Sequence, residues 1–129
     1  MGAFRRLRRA LGPAVSVVGM GERLMRVELL WFQDCPNYAK AEVLLRAVLD
    51  ERGFDEPIVH IEVPDDETGK QLCFPGSPTI RIDGVDVEPG WEPCDECSPR
   101  CRLYLTEAGL VGVPPLEWLN AALTRATQA

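Results

Sequence analysis

The chemistry open to this chain of 129 residues rests on five cysteines and one histidine. Cys35 stands by itself. It follows the mostly apolar run Val27-Glu28-Leu29-Leu30-Trp31-Phe32 and the polar pair Gln33-Asp34, and it directly precedes Pro36. That order predicts a buried strand feeding a helix whose first residue is proline. Proline suits the first helical position because the amide it lacks has no partner there. Cys35 is then expected at the helix N-cap, where free amides and the positive dipole end favour thiolate over thiol. Asp34, one residue earlier, opposes that shift. A thiolate so placed is a nucleophile; the competing reading is a small buried residue filling the strand–helix junction.

Cys94, Cys97 and Cys101 form a second group, spaced three and four residues apart. Such a group suits a resolving thiol, soft ligands for zinc or another thiophilic metal, or a structural staple. A single Cys-x-x-Cys is only half of a usual structural zinc site. Cys73, beside Phe74, is expected in the core. His60 lies between apolar neighbours and is expected on a strand face rather than as a ligand.

The length fits one domain with a real core and is too short for two. Six arginines against Glu22 alone give residues 1–26 a net charge of +5, so the remainder carries −11 of the total −6. So acidic a body is a poor surface for nucleic acid. An odd number of cysteines without the spacing of a disulfide-stapled secreted domain points to a reducing, cytoplasmic setting. Residues 1–26 are expected to be a disordered or non-native leader. Arg5-Arg6-Leu7-Arg8-Arg9 and the apolar stretch after it resemble parts of a signal peptide, but Gly12 and Pro13 interrupt that stretch and no small-residue cleavage site follows. The stretch is also too short to span a bilayer, so a membrane is not an expected partner, and the alternative to a disordered leader is a weak membrane-surface or export segment.

Several elements must position the thiols. Ala41, Leu44, Leu45, Val48 and Leu49 recur at three- and four-residue steps, which predicts a helix over 36–52 ended by Gly53. Residues 57–63 read as a second strand, parallel to the first through a βαβ unit. Residues 65–73 allow at most two helical turns. Asp83-Gly84 is a strong two-residue turn signal. It sets Ile82 against Val85, Arg81 against Asp86 and Ile80 against Val87. The aliphatic pairs are expected on one face and an Arg81–Asp86 ion pair on the other. Residues 88–113 are rich in proline and glycine and hold the three late cysteines, with a short extended piece expected over 102–105. Pro114-Pro115 opens a last helix with Leu116, Leu119, Ala122 and Leu123 on one face.

Strand, helix, strand, short helix, strand hairpin, helix is the element order of the thioredoxin fold, and two local motifs strengthen the resemblance. Cys35 ends the first strand where thioredoxins carry a reactive Cys-x-x-Cys, and Ser77-Pro78-Thr79 looks like the family's cis-proline segment. The resemblance covers about residues 27–127. It implies an α/β three-layer sandwich with a central mixed four-stranded sheet and helices on both faces, carrying residues 88–113 as a Cys-rich insertion. It also implies that Pro78 is cis and packs beside Cys35, with Ser77 and Thr79 presenting backbone groups to an extended substrate. Asp34, Pro36, Asn37 and Tyr38 would line the same site. The motif here is Cys35-Pro36-Asn37-Tyr38, so tyrosine stands where the family has its resolving cysteine. The chain is also similar to small bacterial thioredoxin-like proteins with an Asp-Cys-Pro-Asn start and a late Cys-Arg-x-Tyr, some labelled alkylmercury lyase. Here the matching residues are Asp34-Cys35-Pro36-Asn37 and Cys101-Arg102-Leu103-Tyr104.

In that fold the strand after Pro78 runs antiparallel to the first and starts beside Cys35, so residues 88–113 are expected over the thiol. The leading expectation is a thiol–disulfide oxidoreductase with Cys35 as nucleophile and Cys101 as its partner. It would act on protein disulfides or a low-molecular-weight thiol and require no cofactor. The alternatives are a protein that handles mercury, organomercurials or another soft metal through Cys35 and the loop thiols Cys94, Cys97 and Cys101, and a binding domain without turnover.

Overall fold

The computed structural model describes residues 25–93 and 97–128. The expectation for residues 1–26 lies outside these except for Met25 and Arg26. Met25 is buried, and the Arg26 N–H donates to Asp83 Oδ1 at 2.8 Å.

The first strand, β1 (Val27–Trp31), sits at the centre of the sheet. Its side chains alternate between two apolar clusters, as a strand with both faces covered requires. Val27 and Leu29 join Ala41, Leu45, Val48 and Leu49 of α1 (Tyr38–Glu51) and Leu119, Ala122 and Leu123 of α3 (Leu116–Gln128). Leu30 points the other way, to Val63, Phe74 and Leu72 at the end of α2 (Asp66–Leu72). Each such aliphatic side chain contributes about 1.5–3 kcal/mol on full burial. β2 (Ile58–Glu62) pairs parallel with β1, Leu29 opposite His60. β3 (Thr79–Ile82) pairs antiparallel on the other side, Leu30 opposite Thr79. With β4 (Val85–Asp86) the chain forms an α/β fold with a mixed four-stranded sheet of order β2-β1-β3-β4.

The helical periodicity places α1 correctly but not its start. Pro36 and Asn37 form a turn, Asn37 is the N-cap, and helix begins at Tyr38. Cys35 therefore precedes the cap by two residues, its N–H donating to the Phe32 carbonyl at 3.1 Å. The far end closes as expected. Gly53 has φ +79°, and the Phe54 N–H returns to the Leu49 carbonyl at 2.8 Å, the pattern of a glycine-terminated helix. In α2, Asp65 caps the helix by accepting from the Thr68 N–H, and that bond holds its carboxyl below the usual range.

The Asp83-Gly84 turn forms with both residues at positive φ, 53° and 82°, as a primed two-residue turn demands. Arg81 faces Asp86 and Ile82 faces Val85 in the expected register. Two side-chain expectations fail. Val85 is 61% exposed rather than packed with Ile82, because β4 is an edge of only two residues. The Arg81–Asp86 ion pair does not form, since Arg81 donates to the Cys73 carbonyl at 2.9 Å and Asp86 is taken by Arg102.

The stretch expected to be irregular contains a hairpin, β5 (Tyr104–Thr106) with β6 (Gly109–Val111). Cys73, expected in the core, is exposed. It caps α2 in a left-handed conformation, φ 51°, which turns the chain outward before Phe74 re-enters the core. Among the described residues no helix is long and apolar enough to cross a membrane.

Candidate functional site

The site lies at the end of the sheet where β1 runs out and β3 begins. From β1 the chain passes through Phe32-Gln33-Asp34 to a partly exposed Cys35, with Asp34 and Pro36 exposed beside it. Asn37 makes no side-chain bond to the first turn of α1; its amide group lies instead directly against Gly112, just past β6. Tyr38 opens the helix and stacks on Trp31, ring centroids 4.3 Å apart.

On the other side of this end, the Ser77–Pro78 peptide is cis, as the resemblance implied. Ser77 and Thr79 are fully buried. The Ser77 backbone groups and the Thr79 hydroxyl are bonded within the chain, largely by a strap, residues 97–102, while the Ser77 hydroxyl finds no partner among the described residues. The Ser77 N–H donates to the Arg100 carbonyl at 2.7 Å, and the Ser77 carbonyl accepts from the Arg102 N–H at 2.9 Å. These two bonds set Cys101 opposite Ser77 in a parallel bridge. The Thr79 hydroxyl donates to the Gly76 carbonyl at 2.6 Å and accepts from Arg102 Nη1 at 2.9 Å. The backbone groups of Ser77 that the resemblance offers to a substrate are thus already paired. Asp34 and Pro36 face solvent at this end, with Cys35 partly exposed between them.

Two close approaches let the strap lie flat. A β-carbon on Gly69 of α2 would stand 2.8 Å from the Cys97 carbonyl oxygen. One on Gly76, whose φ is +135°, would stand 2.9 Å from Arg102 Cβ. Real contacts are not made that short, so only glycine fits at either position while the strap stays in place.

Arg102 anchors the strap. Its guanidinium meets Asp86 through two bonds, 2.8 and 3.1 Å, and Glu88 Oε1 at 2.7 Å. It also lies 4.4 Å from the Tyr104 ring centroid. The Tyr104 hydroxyl in turn donates to the Pro78 carbonyl. Burial pushes the Tyr104 phenol well up, with Arg102 opposing and Asp86 and Glu88 adding to the rise.

The strap and the hairpin after it therefore do return to the Cys35 end, through Cys101 at Ser77, Tyr104 at Pro78 and Gly112 at Asn37. No disulfide joins Cys35, Cys73 and Cys101 to one another. Cys94 lies outside the described residues. Among the described residues, no group of three or more His, Cys, Asp or Glu is arranged to hold a metal ion, and Cys97 sits against α2 while Cys101 sits at Ser77.

Sequence reasoning missed two features. In the sequence Arg102 stands out only as part of Cys101-Arg102-Leu103-Tyr104, and a buried arginine leaves no local signal. His60 does lie on β2, but both its ring nitrogens are engaged, by Tyr38 and by Glu42. The spacing of Tyr38 and Glu42, one helical turn, was the available hint. Comparisons with protein-family models, curated proteins and solved structures return no match.

Proposed function

We propose that the chain is a thioredoxin-like thiol–disulfide oxidoreductase, a three-layer sandwich in which Cys35 is the nucleophile and Cys101 its partner. One observation carries this reading: the strap bridges Cys101 to Ser77 at the sheet end where β1 delivers Cys35. Support for the fold comes from α1 and α3 packing on one face of β1 and the end of α2 on the other.

In the reaction, the Cys35 thiolate attacks one sulfur of a substrate disulfide and the other leaves as thiolate. The Cys101 thiolate then attacks Cys35 Sγ, releasing the second substrate thiolate. Two electrons pass from the pair to the substrate, and a Cys35–Cys101 disulfide remains. A low-molecular-weight thiol, two equivalents, returns it to the reduced state. No cofactor enters. The physiological setting is the reducing cytoplasm, where such a pair is regenerated continuously.

Cys101→Ser should trap Cys35 as a long-lived mixed disulfide, while wild type releases it and yields a Cys35–Cys101 peptide on mapping. A Cys101 that pairs only with Cys94 or Cys97 would sink the partnership. The second reading, binding of mercury, an organomercurial or zinc, is supported by two thiols, Cys97 and Cys101, lying on one strap. Under it Cys35→Ser and Cys101→Ser should lower retained metal equally, which metal analysis of the reduced protein decides.

A further inference from the structure

Trp31, Tyr38, Glu42 and His60 form a cluster between the start of α1 and the edge strand β2, and the thiol chemistry above leaves it unused. The Tyr38 ring, stacked on Trp31, meets His60 edge-on with centroids 5.8 Å apart. The Tyr38 hydroxyl lies 2.6 Å from His60 Nδ1, and Glu42 Oε2 lies 3.3 Å from Nε2. An ionised carboxylate only accepts, so Nε2 carries a hydrogen. The neutral ring then leaves Nδ1 to accept the Tyr38 hydroxyl proton. Burial first, and Glu42 second, raise the Tyr38 pKa, so the phenol keeps that proton at neutral pH.

Protonation of His60 reverses the inner bond. Nδ1 gains a hydrogen and can only donate, so the Tyr38 oxygen accepts and its own proton must turn away from the ring. Tyr38 is three residues past Cys35, and its ring rests on the last residue of the strand leading there. The groups facing His60 are Tyr38 and Glu42 from α1, Leu29 from β1, and Ile58 and Glu62 on the same side of its own strand. Arg46, one turn beyond Glu42, is committed to Asp50 and to the carbonyls of Phe54 and Glu56.

We propose that Glu42, His60 and Tyr38 form a proton relay in which His60, as a positioning residue, decides whether the Tyr38 hydroxyl proton is held by the imidazole or offered to an anion at the Cys35 site. The inference rests on Cys35 being the nucleophile. The anion is the thiolate that departs when Cys35 attacks a disulfide. As the new S–S bond forms and the substrate S–S bond breaks, the departing sulfur takes the Tyr38 proton. Tyr38 recovers a proton from Nδ1 of protonated His60, and His60 is recharged from water. Tyr38 thus does not replace the resolving thiol of a Cys-x-x-Cys; it assists the leaving group.

The test compares two reagents on the full chain, with Cys35 modification followed by mass spectrometry from pH 5 to 9. Bis(2-hydroxyethyl) disulfide has a thiolate leaving group that gains from a proton, whereas the iodide leaving iodoacetamide does not. Tyr38→Phe, which keeps the ring on Trp31, should slow the disulfide reaction at least about tenfold, the low end for a lost general acid. It should leave alkylation unchanged, and His60→Gln should do the same. Because the chain has one histidine, nitrogen NMR reads its tautomer without ambiguity, and neutral His60 should carry its hydrogen on Nε2. Slowing with both reagents alike, slowing with neither, or the opposite tautomer overturns the relay. A wild-type Cys35 that iodoacetamide leaves unmodified overturns the nucleophile reading and the relay's role with it. An unchanged His60 tautomer tells that failure from a failure of the relay itself.

Discussion

Asp86 stands opposite Arg81 in the hairpin register, yet its carboxylate belongs to Arg102, which holds it through bonds of 2.8 and 3.1 Å. Both partners are nearly sealed from water, at 6% and 4% exposure. Burial works against the guanidinium charge, but the bonds to Asp86, with Tyr104 and Glu88 close by, outweigh it and raise the pKa of Arg102. A buried pair of this kind adds little net stability over an apolar substitute, but it is costly to break. Its role here is to fix where the strap lies.

Arg102→Ala should therefore leave Asp86 buried without its cation and cost about 3–5 kcal/mol. Urea unfolding at neutral pH reads this directly. A loss below about 1 kcal/mol would show that the strap is held mainly by its backbone pairing with Ser77.

Gly69→Ala sets two effects against each other. Alanine favours a helix interior by about 1 kcal/mol, but its β-carbon would meet the Cys97 carbonyl at 2.8 Å. A backbone carbonyl cannot swing aside as a side chain would, so the clash should win. The expected result is lower stability together with faster alkylation of Cys97. A more stable variant with Cys97 unchanged would mean that the strap shifts freely on α2.

Among the described residues, Ser77 Oγ is a fully buried side-chain oxygen with no hydrogen-bond partner. An orphaned buried hydroxyl costs about 1–3 kcal/mol. Ser77→Ala removes it and keeps the backbone pairing with the strap, so stability should stay level or rise by about 1 kcal/mol. A loss of that size instead would reveal a partner for the hydroxyl, such as an internal water.

Both tyrosines of the chain have raised pKa values, Tyr104 through burial and Tyr38 through burial and then Glu42. A group whose pKa is higher folded than unfolded stabilises the fold fully below the unfolded value. That stability is lost as pH rises, because the unfolded chain gives up its proton first. The unfolded value for tyrosine is about 10, so the tyrosine contribution should hold to about pH 9.5 and fall above it. Tyr104→Phe should flatten this fall more than Tyr38→Phe, since Tyr104 is the more deeply buried. Urea midpoints at mildly and strongly alkaline pH measure it. An undiminished fall in Tyr104→Phe would assign it to other groups.

Much of this arrangement could be read from adjacent residues. The apolar run leading toward Cys35, the three- and four-residue steps of α1 and the Asp83-Gly84 turn each state their own local geometry. Together they are enough to pair β1 with β2 through a βαβ unit and to align Arg81 with Asp86, whereas the place of β3 beside β1 is implied only by the resemblance. Local pattern also explains the misplaced helix start, since proline and asparagine serve equally well in a turn before a helix and in its first turn. The β5–β6 hairpin escaped because each strand has three residues and the turn, Glu107-Ala108, carries no Asn-Gly or Asp-Gly signal.

By itself, the sequence determined the central strand, the helix behind it and a thiol at their junction, because hydrophobic period and turn chemistry depend on neighbours along the chain. Only the tertiary structure decided what those groups touch. Cys101 faces Ser77, Arg102 rather than Arg81 neutralises Asp86, and Tyr38 and Glu42 converge on His60. These partners lie 24 residues apart for Cys101 and Ser77, 16 for Arg102 and Asp86, and 22 for Tyr38 and His60. At such separations no local period links them, and the choice among competing acidic, basic and thiol groups falls to tertiary packing, which here leaves the buried Arg102 and Asp86 paired.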